Sequence, residues 1–194
     1  MKHIFQVISI IRPLNIAIAI ISSLVVLRMV EESNIYSFIL LCVVLICYIS
    51  AGNILNDFLD INTDRINKPQ RILVRYPINR YLIITLVIAF LVVGSFIAST
   101  LNPLSVYIAL YFALPGILTY EFFFKRTPLL GNIIISMLVG SVFIYTEAVL
   151  TGQITITWKL MILAFSLNLI REIVKDIEDI KGDKSQNFQT LPMY

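Results

Sequence analysis

Apolar runs long enough to cross a lipid bilayer, roughly 17–25 residues each, recur six times along the chain. They cover residues 14–30, 36–55, 81–100, 103–120, 129–151 and 157–175. The 194 residues are 58% hydrophobic and only 14% charged, whereas soluble domains average roughly 45–50% apolar and about 25% charged residues. The sequence therefore predicts an all-α, polytopic membrane bundle of about six transmembrane helices, in a single domain of residues 1–194.

The basic residues lie in alternate connections between these runs. Thirteen of the 15 Lys and Arg residues fall there, and only Arg28 and Lys159 fall in the other connections. An excess of Lys and Arg marks the cytoplasmic side of a membrane protein. We therefore predict a multi-pass protein of the plasma membrane with its N-terminus and charged connections in the cytoplasm. No nucleic-acid partner is expected, because these charges bracket membrane spans and form no continuous basic surface.

Two acidic clusters, one after the second run and one after the sixth, share the same spacing of i, i+3, i+7. Their members are Asp57, Asp60, Asp64, Asp176, Asp179 and Asp183. If each helix continues through its cluster, a rotation of about 100° per residue places its three carboxylates within a sector of about 60°. Both rows lie on the same predicted side of the membrane. The pattern therefore predicts two acidic helix faces that are able to face each other.

Such rows of carboxylates favour a bound cation. Like charges on one helix face repel each other, so the arrangement is costly unless a cation lies between them. Mg²⁺ takes one or two carboxylates, keeps several waters and accepts oxygens from a substrate phosphate. The rows therefore predict a site for Mg²⁺ and a diphosphate, with basic residues nearby to bind phosphate oxygens. For either cluster alone a solvated helix end paired with nearby bases is the alternative; the matched spacing favours the metal site.

Both clusters resemble the aspartate-rich motifs of the UbiA superfamily of intramembrane prenyltransferases. The segment NDFLDINTD, followed by RINKPQR, is similar to the first motif, and REIVKDIEDIKGDKSQNFQTLP is similar to the second. The stretches IRPLN (11–15) and KRTPLLGN (125–132) also fall where the family carries similar stretches. Within the family, the segments RINKP and REIVKDIED are most similar to those of the geranylgeranylglyceryl-phosphate geranylgeranyltransferase branch, which makes archaeal-type ether lipids.

The resemblance implies an activity and a set of site residues. The six aspartates would be catalytic and would hold Mg²⁺, and a polyprenyl group would pass from a prenyl diphosphate to a lipid-soluble acceptor. The preferred acceptor is geranylgeranylglyceryl phosphate, and an aromatic quinone precursor is the alternative. The residues implied in substrate binding are Asn53, Asn56, Arg65, Lys68, Arg71, Lys125 and Asn132. For Asn53 and Asn132 a hydrogen bond at a helix end is an equally open interpretation.

The length of the chain differs from the pattern of the family. Its members generally have nine transmembrane helices, whereas this sequence has six apolar runs and stops at Tyr194, soon after the second motif. We expect the last three helices to be absent, so that either one side of the cavity around the prenyl tail lies open to lipid, or an oligomer or a partner chain completes the bundle. A fragment of a longer gene product and a non-catalytic truncated relative are the alternatives.

Two other classes of membrane protein use acidic residues in this way. CDP-alcohol phosphotransferases carry their aspartates in one continuous run, which this sequence lacks. Cation transporters hold their acidic ligands near the bilayer midplane, whereas both clusters here lie at span ends beside Arg and Lys. Prenyl transfer is therefore the favoured function. Glu147, inside the fifth run, is interpreted as facing the same cavity or, alternatively, as lying near the outer interface.

Overall fold

Helices cover all six apolar runs. The computed structural model of the chain describes residues 9–30, 34–76, 78–185 and 190–193. The helices are α1 (Pro13–Met29), α2 (Ile35–Leu59), α3 (Ile61–Asn67), α4 (Ile72–Arg75), α5 (Arg80–Ala98), α6 (Pro103–Phe124), α7 (Leu130–Thr151) and α8 (Trp158–Ser185), followed by a 3-10 turn at Leu191–Met193. No β-strand occurs in these ranges, which confirms the all-α prediction for them. The N-terminal residues 1–8, predicted to be cytoplasmic, lie outside the described part.

Four of the helices, α2, α5, α6 and α7, are long and apolar enough to cross a membrane. Helix α1 is apolar but has only 17 residues. Helix α8 has 28 residues, and its second half carries the charged residues of the second aspartate cluster. The protein is therefore a helical membrane protein, and the count of six transmembrane helices stays a prediction.

Helix α2 lies at the centre of the bundle and packs along α5. Two apolar clusters hold it in place. One joins α2 to α6 and α7 through buried residues that include Leu41, Val44, Ile108 and Ala148. The second, nearer the aspartates, joins α2 to α4 and α5. It contains Ile10, Ala51, Ile54, Leu55, Leu73, Ile83 and Val87. This second apolar cluster fixes the end of α2 that carries the first aspartates.

Helices α7 and α8 pack closely because small residues line their contact. Ser136 is fully buried, and a Cβ atom added at Gly140 would lie 2.7 Å from the carbonyl oxygen of Met161. Small residues let membrane helices approach at backbone distance. Asn168 Nδ2 donates a hydrogen bond to Ser136 Oγ at 3.2 Å. The packing brings the start of α7 beside the end of α8, where the second aspartate cluster lies.

Helix α6 contains two wide, π-helical turns, at Tyr107–Ala113 and Tyr120–Phe124. The first precedes Pro115, which has no N–H group and disturbs regular helical hydrogen bonding. The second ends where the Lys125 N–H donates to the Tyr120 carbonyl oxygen at 2.9 Å. Single π-helical turns inside α-helices are frequent at functional sites. Here the second turn lies at the end of α6 that approaches the aspartates.

The expectation of one continuous helix through the first cluster is wrong at a single residue. Helix α2 ends at Leu59 and α3 begins at Ile61, because Asp60 has φ −94° and ψ 6°, away from regular helical values. Backbone hydrogen bonds still run from Asp60 N to Asn56 O at 3.0 Å and from Asp64 N to Asp60 O at 2.8 Å. The chain therefore bends at Asp60, so Asp57 and Asp64 belong to different helices.

Candidate active site

One cleft at the end of the bundle brings the two aspartate clusters together. We call it the aspartate cleft, and five of the six predicted aspartates line it. Its lining residues are Asp60, Thr63, Asp64, Lys68, Arg71, Tyr120, Lys125, Arg126, Lys175, Asp176, Asp179, Asp183 and Thr190. Side chains from α3, α6 and α8 and from the connections beside them thus meet around a single space.

The sixth aspartate, Asp57, lies behind the lining and holds two arginines. It is buried and contacts Arg12, the residue just before α1. Arg71 Nη1 lies 2.7 Å from Asp57 Oδ1 and 2.7 Å from Asp64 Oδ2. The bend at Asp60 lets this one guanidinium reach carboxylates on α2 and on α3. Arg71 thereby offsets the repulsion between two members of the first cluster.

Lys125, at the end of α6, is paired with two acids. Its Nζ lies 2.6 Å from Asp60 Oδ2 and 3.2 Å from Glu121 Oε2. The other carboxylate oxygen of Glu121 accepts a hydrogen bond from Asn56 Nδ2 at 3.1 Å. Arg12 Nη2 in turn donates to Asn56 Oδ1 at 3.4 Å. These contacts join the ends of α2 and α6 to the start of α1.

Each aspartate of the second cluster has a partner from another part of the chain. Lys68 Nζ lies 2.5 Å from Asp179 Oδ2, and Asn132 Nδ2 donates to Asp176 Oδ2 at 2.8 Å. Thr190 Oγ1 donates to Asp183 Oδ2 at 3.3 Å. The partners are Lys68 just after α3, Asn132 on α7 and Thr190 beyond α8. The cluster is therefore held from three sides.

Four of the seven predicted substrate-binding residues lie outside the cleft lining: Asn56 and Asn132, whose contacts with site residues are given above, and Asn53 and Arg65. Asn53 Nδ2 donates to the Ile11 carbonyl oxygen at 3.1 Å, so this side chain ties α2 to the segment before α1. Arg65 is exposed on α3 and does not line the cleft. The structure thus gives Asn53 a helix contact, and a substrate role for Asn53 or Arg65 stays a prediction.

Five lining residues lie outside the predicted site set, namely Thr63, Tyr120, Arg126, Lys175 and Thr190, and so do three charged residues that contact the site. Arg12 contacts Asp57, Glu121 is buried against Lys125, and buried Glu172 lies 3.0 Å from Lys175, one of the lining residues. For Glu121 the sequence held a usable signal, because an acid within an apolar segment of a membrane protein is a functional candidate. Arg12 belongs to the IRPLN stretch, whose resemblance to the family gave its position but no contact.

Glu147 lies at the opposite end of α7, so its interpretation as a residue of the cavity is wrong. Its carboxylate accepts hydrogen bonds from the backbone N–H groups of Thr155 and Thr157 at 2.8 and 2.9 Å, and from both hydroxyls at 2.5 Å. The physical reason is the connection before α8, whose N–H groups need acceptors. Glu147 is therefore a buried capping acid.

Burial and mutual repulsion raise the pKa values of three cleft carboxyls, those of Asp64, Asp176 and Asp183. Burial is the largest cause at Asp183, and the charges of Asp179, Asp176 and Asp60 add to it. Together they raise the pKa of Asp183 from 3.8 to about 6, against the hydrogen bond from Thr190, which lowers it. Burial likewise raises the pKa of Asp64, although Arg71 opposes the shift. The ionised forms are therefore costly unless a further cation shares the cleft.

The chemistry of the lining fits Mg²⁺ bound together with a phosphate. Within the described ranges, no three Asp, Glu, His or Cys side chains converge as a closed metal centre requires. Mg²⁺ needs no such cage, because it usually keeps several waters and binds one or two carboxylates plus phosphate oxygens. The cleft offers carboxylate oxygens from both clusters, with lysine and arginine side chains beside them.

Comparison with known sequences gives one consistent result. The UbiA prenyltransferase family matches residues 16–194. The chain is 35% identical over 189 residues to a digeranylgeranylglyceryl phosphate synthase of Thermococcus gammatolerans, covering 94% of this chain and 66% of the relative. It is 36% identical over 193 residues to the synthase of Thermococcus sibiricus, covering 96% and 67%. The chain thus spans about two thirds of the length of these relatives.

Solved structures share the fold. A digeranylgeranylglyceryl phosphate synthase structure superposes with a TM-score of 0.82 at 29% identity, covering 100% of this chain and 69% of that one. A UbiA homologue from Archaeoglobus fulgidus, bound to DMAPP and Mg²⁺, superposes with a TM-score of 0.77 at 18% identity, covering 96% and 68%. The expected bundle type is confirmed, and the chain belongs to the UbiA prenyltransferase family.

Proposed function

We propose that this chain carries the active site of a magnesium-dependent prenyltransferase, which transfers a geranylgeranyl group from its diphosphate to geranylgeranylglyceryl phosphate. The observation that carries the proposal is the single cleft in which aspartates of both clusters meet basic side chains at the end of a membrane bundle. Membership of the family supports the reaction class. Relatives that are named digeranylgeranylglyceryl phosphate synthases support the choice of substrates.

The reaction exchanges one bond to carbon for another. The bond between the allylic carbon and the diphosphate oxygen breaks, a hydroxyl oxygen of the acceptor bonds to that carbon, and the hydroxyl proton is released. The products are the ether lipid, diphosphate and one proton. When bound, Mg²⁺ supplies Lewis-acid stabilisation of the negative charge on the departing diphosphate.

The acidic side chains divide into two roles under this proposal. The five aspartates of the lining hold Mg²⁺, because their carboxylates face the shared space. Asp57 orients Arg12 and Arg71, which both contact it. Asn132 orients Asp176 through its 2.8 Å hydrogen bond. A carboxylate that is held in one rotamer loses less entropy when it binds a ligand.

The basic side chains bind the diphosphate. Lys68, Arg71 and Lys125 are paired with aspartates in the structure, and each keeps further N–H donors. These donors would be available to phosphate oxygens, for which Arg and Lys are well suited, once a bound cation offset the charge of the carboxylates. The same lysine and arginine side chains therefore stabilise the aspartates when the cleft holds no ligand and bind the leaving diphosphate when substrate is present.

The proposed setting is the cytoplasmic face of the plasma membrane. The four membrane-crossing helices and the concentration of Lys and Arg in alternate connections support this orientation. It leaves the diphosphate and phosphate groups in contact with water and the prenyl chains in contact with lipid. A charged head group and an apolar tail are thereby accommodated at one site.

The test uses the 194-residue chain in lipid nanodiscs. Radiolabelled geranylgeranyl diphosphate is supplied with geranylgeranylglyceryl phosphate or with 4-hydroxybenzoate, in Mg²⁺ or in EDTA. Product formation and binding of the labelled diphosphate are both measured. Asp179→Asn is compared with Glu178→Gln, because Glu178 is the neighbouring acid and is exposed outside the cleft lining.

We expect Mg²⁺-dependent ether-lipid product, lost in Asp179→Asn and retained in Glu178→Gln. If product forms with 4-hydroxybenzoate but not with geranylgeranylglyceryl phosphate, the acceptor is instead aromatic. Mg²⁺-dependent binding without product would support the metal and diphosphate site and reject catalysis by this chain alone. If neither binding nor product depends on Mg²⁺, the proposed function is wrong.

A further inference from the structure

The last residue of α3 is hydrogen-bonded to the backbone of α8. Asn67 Nδ2 donates to the carbonyl oxygen of Asp179 at 2.8 Å. Its Oδ1 accepts a hydrogen bond from the backbone N–H of Gly182 at 2.9 Å. One side-chain amide thus contacts a C=O and an N–H group within a single turn of another helix. Both bonds connect the segment of the first aspartate cluster directly to that of the second.

Two such bonds fix the register of one helix against the other. A shift of α8 by one residue moves its backbone by about 1.5 Å along the axis and turns it by about 100°. The donor and the acceptor of Asn67 would then both lose their partners. A salt bridge between flexible side chains tolerates such a shift much better. The Asn67 amide therefore restrains both the position of α8 along its axis and its rotation about that axis.

The contact requires glycine at position 182. A Cβ atom added there would lie 2.4 Å from Asn67 Nδ2, 2.7 Å from its Cγ and 2.8 Å from its Oδ1. All three distances are shorter than any normal contact between such atoms. Glycine is a poor helix former, yet Gly182 lies within α8. The space that it leaves is filled by the Asn67 amide.

The residues beside this contact belong to the aspartate cleft. Lys68 follows Asn67 and lies 2.5 Å from Asp179, and Asp64 precedes it by one helical turn. On α8, Asp179 and Asp183 lie on either side of Gly182, and both line the cleft. The Asn67–Gly182 contact therefore lies where the segments of the two clusters approach each other.

We infer that Asn67 and Gly182 form a positioning pair that sets the separation of the two aspartate clusters for binding of Mg²⁺ and diphosphate. The part of this inference that concerns binding of Mg²⁺ and diphosphate rests on the proposed function. Neither residue lines the cleft; they act through Lys68, Asp179 and Asp183. Gly182→Ala is expected to be harmful only while the Asn67 amide occupies the space beside it.

The test is a double-mutant cycle of Gly182→Ala, Asn67→Ala and the combined variant. The Mg²⁺ concentration that gives half-maximal binding of geranylgeranyl diphosphate is measured for each. Gly52→Ala is the matched control, because a Cβ at Gly52 would meet nothing nearer than Ile117 Cγ2 at 3.8 Å. Substitutions outside the first coordination sphere typically weaken metal binding about 10–100-fold. We expect at least a tenfold increase in that Mg²⁺ concentration for Gly182→Ala, and the same value for the double variant as for Asn67→Ala.

A second measurement is independent of Mg²⁺ and substrate. Spin labels at Asn62 on α3 and Glu178 on α8, both exposed, report the distance between the helices in a chain whose Cys42 and Cys47 are replaced by alanine. We expect Gly182→Ala to shift this distance in the presence of Asn67 and to leave it unchanged in the Asn67→Ala background. Thermal unfolding of each variant identifies any that fails to fold, and rescue of Gly182→Ala folding by Asn67→Ala supports the pair equally well.

The outcomes separate the two proposals. Additive effects of the two substitutions on the label distance, or no effect of Gly182→Ala, overturn the positioning pair even if the unmodified chain binds diphosphate normally. If the two substitutions have non-additive effects on the label distance in a chain that shows no Mg²⁺-dependent binding, the pair still positions the two helices. That result rejects its role in binding together with the proposed function.

Discussion

Lys125 Nζ lies 2.6 Å from Asp60 Oδ2, which joins the end of α6 to the bend between α2 and α3. Asp60 is the residue at which the backbone leaves helical geometry. A cation from the far side of the cleft therefore holds the carboxylate at the point where the first cluster changes direction. The buried acid Glu121, 3.2 Å from the same Nζ, holds the lysine in turn.

Lys125→Ala is expected to weaken binding of geranylgeranyl diphosphate by about tenfold or more, a loss of about 1.4 kcal/mol or more. The reason is the loss of a charged donor to the phosphate oxygens. Binding of the labelled diphosphate at saturating Mg²⁺ measures the effect. Lys159→Ala is the control, since Lys159 is exposed at the start of α8, far along that helix from the aspartates. Equal affinity of Lys125→Ala and the unmodified chain would remove Lys125 from the phosphate site.

Asn132→Ala is expected to raise the Mg²⁺ concentration needed for half-maximal diphosphate binding by about tenfold. The substitution removes the 2.8 Å hydrogen bond that orients Asp176 while leaving both aspartate clusters intact. Titration of diphosphate binding with Mg²⁺ checks the shift.

The matched control for Asn132 is Asn34→Ala. Asn34 Oδ1 accepts a hydrogen bond from Ser37 N at the start of α2, so its loss removes a helix cap and costs about 1 kcal/mol of stability. It should not alter the Mg²⁺ titration. A shift of equal size in both variants would mean that Asn132 acts on stability alone.

The stability of the chain without Mg²⁺ is expected to fall as the pH rises from about 4 to about 7. The pKa of Asp183 is about 6 in the folded chain and 3.8 ordinarily, so the folded state binds the proton more tightly. The favourable contribution of protonated Asp183 to stability is complete below the ordinary pKa and is lost as the pH rises through the pKa of the folded chain. Thermal unfolding in EDTA across this range measures the trend.

Two variations test the cause of this pH dependence. Asp183→Asn should flatten the curve, because no proton is then exchanged at that position. Addition of Mg²⁺ at about pH 7 should raise the unfolding temperature, since the cation favours the ionised carboxylates. A pH profile that Asp183→Asn leaves unchanged would assign the dependence to other groups.

Glu147→Ala is expected to destabilise the chain by about 3 kcal/mol, because several N–H and hydroxyl donors lose a charged acceptor. The donors belong to Thr155, Ile156 and Thr157, just before α8. Thermal unfolding measures the loss, and Glu178→Gln on the exposed side of α8 serves as the control. The Mg²⁺ titration of the folded fraction should not change, since Glu147 lies at the other end of the bundle.

The sequence was a good guide to the helices and to the meeting of the clusters. Apolar length predicts each helix of the bundle because hydrocarbon leaves the backbone no other partner than itself. The i, i+3, i+7 spacing predicts one acidic face on α8, and Asp176, Asp179 and Asp183 indeed share that continuous helix. Local periodicity is sufficient for such features.

The contacts that span the bundle could not be predicted in the same way. The ion pairs around the bend at Asp60 involve Arg71 and Lys125, which lie on other segments. The contact of Arg12 with Asp57 depends on the docking of the segment before α1. The sequence leaves Glu147 open between the cavity and the outer interface, because its position within an apolar run is visible in the sequence, whereas the contact with the loop that supplies its donors is not. Side-chain partners follow from tertiary packing rather than from spacing along one helix.

The sequence separation of these contacts has a consequence for the order of folding. The two arginines that hold Asp57 are 14 and 45 residues from it, whereas the bond between Gly182 and Asn67 spans 115 residues. Short loops close at lower entropic cost than long ones, and the N-terminal part of a chain leaves the ribosome first. We therefore expect the first acidic helix end to gain Arg12 and Arg71 before α8 docks. Helix α8 then docks against a finished half-site, so its arrival is the step that completes the cleft.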